Sequence, residues 1–289
     1  MTTAPDIAPL PLPVSTTAES AGSGHLPRTV THPGHRRDLF GLSFDAVTLA
    51  EAVQQCRDAL TDRSPMLVGV VNAAKAVNLR TDSVLRDSLL ECDLLVADGQ
   101  SVVWASRVLR RPLPERVAGI DLFEALLQVA SDDGRSVYLL GAQPEVLEAL
   151  VETIGTRWPT LRIAGHRDGY YAVEDSADVA ADIRRAAPDM LFLGITSPKK
   201  EIFLGTYGAT LGVPVMHGVG GSFDIMAGLT KRAPGAWQGA GMEWAYRLIQ
   251  EPSRMWRRYL RTNSVFILLV AQDVVRTSRR QHHRVARHG

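Results

Sequence analysis

An acidic side chain stands where an apolar run ends. Leu94-Leu-Val-Ala97 reads as a strand, Asp98 closes it and Gly99 permits a tight turn, so the carboxylate would project into the crevice at the strand's carboxyl end. Asp98 could serve there as a general base, because carboxylates in clefts are where catalytic acids and bases gather. A helix N-cap for the segment beginning near Ser101 competes on equal terms. The run Gly218-Val-Gly-Gly221 would let the backbone at Gly218, Gly220 and Gly221 approach a diphosphate closely. It lacks the full dinucleotide fingerprint and the Walker lysine, and a plain turn is the alternative. Pro198-Lys-Lys-Glu201 follows an apolar run and opens a helix, whose free first-turn N–H groups could meet an anion beside two lysines. The ordinary reading of such a Lys-Lys pair is a solvated helix start.

Arginines carry more information. Arg254, Arg257, Arg258 and Arg261 stand at i, i+3, i+4 and i+7, with Arg247 shortly before them, so one helix face would be densely cationic. Like charges repel, and such a face needs an anionic partner: phospholipid head groups or a diphosphate. Trp244, Trp256 and Tyr259 are interleaved with them, aromatics of the kind that settle at membrane interfaces, although for Trp244 core packing is the expectation. The histidines form no metal constellation. His166 and His217 are isolated, and His282 and His283 lie in a basic tail, so no metal is expected.

These groups need a scaffold. From Asp38 onward, apolar runs at 67–71, 94–97, 137–140, 162–164, 190–195 and 213–217 alternate with amphipathic stretches such as 83–91, 122–131, 145–157 and 176–187. That alternation predicts an α/β fold with a parallel, helix-covered sheet. In such sheets ligands bind at the carboxyl ends of strands, where Asn72-Ala-Ala-Lys75, Asp98-Gly99-Gln100 and the glycine-rich loop all fall. Residues 237–276 offer helical patterns and no further strand, which predicts a C-terminal helical appendage with Pro252 in the first turn of a helix. The expected organisation is a disordered tail over 1–37, a core over 38–236, the appendage over 237–276 and a basic tail over 277–289.

Composition narrows the setting. The chain has 289 residues and a formal net charge of +1, yet from Glu251 onward there are nine arginines against two acids, Glu251 and Asp273. That end seeks negative charge. Cys56 and Cys92 have no spacing partner, which points to a reducing compartment. The longest apolar candidate, 265–275, is interrupted by Gln272 and Asp273 and is too short to cross a bilayer. No secretory signal pattern opens the chain.

Read together, the blocks resemble the WecG/TagA/CpsF family, glycosyltransferase family 26. They are Asn72, Ala97-Asp-Gly99, Glu115-Arg-Val-Ala-Gly-Ile-Asp121, Leu140-Gly141, Asp168-Gly-Tyr170, Pro198-Lys-Lys-Glu201, Gly218-Val-Gly-Gly-Ser-Phe-Asp224, Ala227-Gly228, Arg232-Ala-Pro234, Glu243-Trp-Ala-Tyr-Arg247 and Glu251-Pro-Ser-Arg-Met-Trp-Arg-Arg-Tyr259. The blocks are ordered, and the resemblance runs from about residue 40 to 262.

The resemblance implies a Rossmann-like core with a C-terminal appendage, inversion at the anomeric carbon, no metal and no cofactor. The donor would be a UDP-sugar, the acceptor a sugar on a polyprenyl diphosphate, and the product a step in surface or exopolysaccharide biosynthesis. Asp98 resembles the family's general base and Asn72 its donor-sugar contact, and Lys200 lies where a donor-sugar contact is expected. Arg247, Arg254 and Arg257 resemble the appendage arginines that close over the diphosphate, beside Gly218, Gly220 and Gly221. Two departures stand out: Val70-Val-Asn72 where many members have Thr-x-Asn, and Lys200 where many have Gln. The expected location is cytoplasmic, on the inner face of the cell membrane, with Arg258 and Arg261 toward lipid. No nucleic-acid partner is expected, and a homo-oligomer stays open because exposed apolar residues could pack on another subunit. A non-catalytic nucleotide-sugar-binding subunit is the competing class. A nicotinamide-dependent oxidoreductase is disfavoured by the incomplete glycine fingerprint.

Overall fold

The computed structural model describes residues 36–239, 242–250 and 252–285, with side chains throughout except at 247, 250, 252–255, 257–259 and 276–285. A hairpin of β1 (Arg36–Leu39) and β2 (Leu42–Asp45) leads into α1 (Leu49–Asp62), β3 (Met66–Val71), α2 (Ala73–Asn78), α3 (Ser83–Leu90), β4 (Leu94–Ala97) and α4 (Gln100–Val108). Then come α5 (Gly119–Asp132), β5 (Ser136–Gly141), α6 (Pro144–Arg157), β6 (Arg162–Arg167), α7 (Ser176–Ala186), β7 (Met190–Gly194), α8 (Lys199–Tyr207), β8 (Val215–Gly218) and α9 (Ser222–Met226). Three helices follow: α10 (Gly235–Gly239), α11 (Glu243–Gln250) and α12 (Pro252–Val285).

Six strands form one parallel sheet in the order β4-β3-β8-β7-β5-β6, covered by helices, as the sequence pattern predicts for an α/β chain. Parallel strands buried on both faces read as continuous apolar runs, and β4 and β5 are buried along their whole length. One side of the sheet holds the core of Phe123, Phe192 and Phe223, whose rings pack edge-on or tilted at 4.7 and 5.6 Å between centroids.

The hairpin was not anticipated, and it takes in Arg36 and Arg37, residues the sequence pattern places with the tail. A strand of four residues is too short to show a period. Leu39, Leu42 and Phe44 are buried in the core beside β4, and polar contacts fix the hairpin's place: Arg36 Nε donates to Asp45 Oδ1 at 2.9 Å, and Asp45 Oδ2 accepts the Leu95 N–H at 2.8 Å. The tail itself, residues 1–35, lies outside the described residues.

Helix α12 follows from its sequence. Pro252 takes the first turn, and the apolar face of 265–275 supplies the anchor, with Phe266 only 5% exposed and its ring 5.3 Å from that of Phe40. The helix runs on to Val285 without a break, through the positions expected to form a separate tail. Among the described residues no helix is long and apolar enough to cross a membrane.

Candidate functional site

The carboxyl ends of β3, β4, β7 and β8 meet around one open cavity of about 1250 Å³. It gathers Asn72, Asp98, Lys200, Gly218, Gly220 and Gly221, residues from four separate loops of the sequence.

Asp98 is positioned by two backbone groups. Its own N–H donates to Val71 O at 3.0 Å, continuing the β3–β4 ladder, and its Oδ1 accepts the N–H of Gly119 at 2.9 Å. Gly119 is the first residue of α5, so Asp98 does meet an orphan helix N–H, but on α5 rather than on the helix it precedes. Helix α4 starts from Gly99 with no side-chain cap. One carboxylate oxygen is thus fixed, and Oδ2 has no hydrogen-bond partner among the described residues.

Asn72 is the N-cap of α2, its Oδ1 accepting the Lys75 N–H at 3.1 Å, which leaves the amide NH2 as the group it can offer a ligand. Val70, the residue standing where a hydroxyl was expected, is 7% exposed and belongs to the core.

The Pro198-Lys-Lys-Glu201 turn is not a solvated helix start. Lys199 Nζ donates to Gly169 O at 2.9 Å and to Tyr171 O at 2.5 Å, and sits 3.4 Å from the Tyr171 ring centroid, bracing the Asp168-Gly-Tyr170 loop. Lys200 turns the other way, into the cavity, and pairs with Glu201 at 2.9 Å. Glu201 is 3% exposed; burial raises its carboxyl, but the Lys200 charge and hydrogen bond bring it below its ordinary value.

The Lys200 stem crosses Gly218 so closely that a Cβ there would lie 2.8 Å from Lys200 Cδ. Gly218 therefore makes room for a lysine. Gly220 adopts φ +54°, the left-handed turn that brings the loop round to Gly221, the N-cap of α9.

Sequence reasoning gave no role to three features. Lys75, the last residue of the strand-end run Asn72-Ala-Ala-Lys75, lies on α2 and lines the cavity. An alternating ring of charges joins core to appendage: Arg116 pairs with Glu243 at 2.7 Å and Asp121 at 3.7 Å, while Arg232 pairs with Asp121 at 2.6 Å and Glu243 at 3.8 Å. The Arg232 contact to Asp121 is ionic but not aligned as a hydrogen bond, and its Nε and Nη2 find no hydrogen-bond acceptor. Opposite charges in three separate blocks were visible in the sequence, but not that they converge. His217, the third, is wholly buried under the site with Nδ1 3.4 Å from Val68 O and Nε2 3.3 Å from Gly119 O, and burial pushes it down to about 4.

Beyond Asp98 the cavity becomes apolar. One face of α4, with Trp104 and Val108, lies opposite one face of α12, with Ile267, Val270, Val274 and Val275. Trp104, Val108 and Ile267 are 46%, 61% and 66% exposed, unusual for large apolar groups. Trp244, expected in the core, is 40% exposed and lines the same cavity. Arg261 is exposed on α12. The side chains of Arg247, Arg254, Arg257 and Arg258 lie outside the described residues, on α11 and α12. Among the described residues no three His, Cys, Asp or Glu side chains are grouped to hold a metal ion. Cys56 and Cys92 are buried and form no disulfide, and burial raises the Cys56 thiol to about 12, which keeps it unreactive.

A parallel sheet with a polar crevice at its strand ends and a carboxylate beside a helix N-terminus defines an α/β protein of the ligand-binding, Rossmann-like kind. Comparison with known proteins is more specific. The model of the glycosyl transferase WecG/TagA/CpsF family matches residues 37–280, and the chain belongs to that family. It is 38% identical over 194 residues to an N-acetylglucosaminyldiphosphoundecaprenol N-acetyl-beta-D-mannosaminyltransferase of Bacillus subtilis (strain 168), covering 67% of this chain and 75% of that protein. It is 34% identical over 234 residues to a protein of the same name from Staphylococcus aureus (strain MW2), covering 80% of this chain and 90% of that one.

Proposed function

We propose that the protein is an inverting, metal-independent glycosyltransferase that moves a hexose or N-acetylhexosamine-type sugar from a UDP-sugar to a sugar on a polyprenyl diphosphate. The observation that carries this reading is the two-part cavity, polar around Asp98 and apolar between α4 and α12. A sugar diphosphate linked to an isoprenoid chain has the same two parts. The names of the Bacillus and Staphylococcus relatives describe an acceptor of this kind.

In this reading Asp98 Oδ2 takes the proton of the acceptor hydroxyl. The freed oxygen attacks the anomeric carbon opposite the UDP, a new C–O bond forms as the bond to the diphosphate breaks, and the electron pair leaves with UDP. Gly119, holding Oδ1, keeps the base oriented. Asn72 and Lys200 face the donor sugar, and the backbone at Gly218, Gly220 and Gly221 faces its diphosphate. Arg247, Arg254 and Arg257 take up the charge that develops on the leaving group, the role a metal plays elsewhere. The exposed apolar face of α12, with Arg258 and Arg261 and the arginines beyond, rests on the inner face of the cell membrane, from which the acceptor's chain enters the groove.

The test is a panel of UDP-sugars, UDP-N-acetylmannosamine included, with a short-chain polyprenyl-diphosphate-N-acetylglucosamine acceptor. UDP release together with an acceptor heavier by one sugar supports the proposal and names the donor. Donor binding without turnover across the panel would favour a non-catalytic subunit instead.

A further inference from the structure

Six charged side chains among the described residues line the cavity: Lys75, Asp98, Arg116, Lys200, Glu201 and Glu243. Four of them are matched in direct ion pairs, Lys200 with Glu201 at 2.9 Å and Arg116 with Glu243 at 2.7 Å. Lys75 and Asp98 remain, one of each sign. No direct ion pair joins them to each other or to any other described residue.

Their placement is fixed by neighbouring strands. Asp98 follows β4 and accepts from Gly119, while Lys75, one turn into α2 from the end of β3, folds its ammonium back to donate to Val70 O at 2.8 Å. That carbonyl is the sole acceptor the described residues give its three N–H groups. Lys75 is half-buried on the cavity wall, and an ammonium that has lost part of its water is less stable unless a negative charge answers it.

We propose that Lys75 is the counter-charge of Asp98, a positioning residue that balances the base across the space where the acceptor hydroxyl enters. It rests, in its catalytic part, on the glycosyl-transfer reading given above. When Asp98 takes up the hydroxyl proton, its negative charge is gone and the Lys75 charge is left unanswered. The departing diphosphate gains negative charge at that same moment, so the cavity's balance moves in the direction the reaction needs.

The surroundings of Lys75 agree. Burial first, and then the charge of Lys200, bring its ammonium down to about 8 against the opposing pull of Asp98, Glu201 and Cys92. His217 beneath it is neutral above about pH 4 and adds no charge.

Two measurements decide it. In the full-length protein carrying 13Cε-lysine, the Lys75 resonance, identified by its loss in Lys75→Met, should titrate near pH 8 and should titrate at lower pH in Asp98→Asn. This needs no turnover, so it stands or falls apart from the glycosyltransferase assignment. In the kinetic arm Lys75→Met should lower kcat about 10-fold or more with a smaller change in donor KM, while its melting temperature holds or rises because a withdrawn charge has been removed. Lys75→Arg should recover most of kcat and move the alkaline fall in rate to higher pH. A Lys75 midpoint indifferent to Asp98→Asn would overturn the proposal. So would a Lys75→Met protein that melts earlier and turns over at the wild-type rate, since that marks a structural lysine.

Discussion

Asn72 and Asp98 leave adjacent strands at the same level, because the parallel register pairs Val71 with Ala97 and the Asp98 N–H donates to Val71 O at 3.0 Å. The two residues are 26 apart in sequence yet their loops touch, to the point that a Cβ on Gly99 would lie 3.3 Å from the Asn72 Cβ. Register alone therefore places the proposed sugar contact beside the proposed base.

Lys200 reaches the cavity across Gly218, so Gly218→Ala should push it aside. Because the clash is with a flexible stem, the fold should tolerate the change, but donor KM should rise by about 3- to 10-fold. Combined with Lys200→Ala, the glycine change should add nothing further, since both act on one side chain. Full additivity in that double-mutant cycle would show that Gly218 acts on the ligand through its backbone instead.

His217 predicts an acid-side loss of stability. Its folded value of about 4 lies below the ordinary 6.5, so the folded state binds fewer protons than the unfolded one in that range. The stability tied to the neutral ring is complete above pH 6.5 and falls as pH drops toward 4, by about 3 kcal/mol in all. Urea unfolding at a series of pH values should show this slope in the wild type and less of it in His217→Asn. Equal slopes in the two proteins would remove His217 as the cause.

Much of the sheet was legible because parallel strands buried on both faces are unbroken apolar runs, and all six candidate runs, from 67–71 to 213–217, overlap observed strands. That Asp98 and the glycine loop would share one crevice was legible for a related reason: crevices at strand ends follow from strand position. What escaped has no local signature. The β1–β2 hairpin is placed by Arg36, Asp45 and Asp93, in contacts between residues up to 57 apart, and by burial of Leu39, Leu42 and Phe44 against distant residues. Lys75 looks like any helix lysine until its ammonium is seen to turn back toward Val70, and Trp244 looks like a core residue until α11 is placed at the cavity rim.

Metal dependence is a separate check. The acids Glu201 and Glu243 that line the cavity are paired with Lys200 and Arg116, and in the proposed mechanism arginines answer the leaving-group charge, so turnover should persist in EDTA without added magnesium or manganese. Loss of turnover that magnesium restores would contradict the assignment of the leaving-group charge to arginine.

The proposed membrane contact rests on α12. Leu260, Ile267 and Leu268 are 63%, 66% and 60% exposed on a helix that also carries Arg254, Arg257, Arg258 and Arg261. Each basic residue near an anionic surface contributes about 1 kcal/mol, and salt screens the attraction. The full chain should co-sediment with vesicles containing anionic lipid at low salt and be released at high salt. Removing residues 276–289, with five arginines, should weaken binding while leaving Phe266 to hold α12 on the core. Cutting near residue 262 would take Phe266 as well and uncover apolar core, so that shorter form is a poor test. Indifference of the full chain to anionic vesicles at low salt would direct the arginines to a protein partner.

The proposed base offers the most direct test. Asp98→Asn keeps the side chain's shape and an oxygen to accept the Gly119 N–H, and removes the negative charge and with it the capacity to take a proton. With a turning-over donor and acceptor in hand, the account predicts that kcat falls by about 100-fold or more while donor affinity, measured by calorimetry, stays within about 3-fold of wild type. A variant that binds donor normally and turns over at the wild-type rate would contradict it, leaving Asp98 as a cap for α5 and placing the base elsewhere.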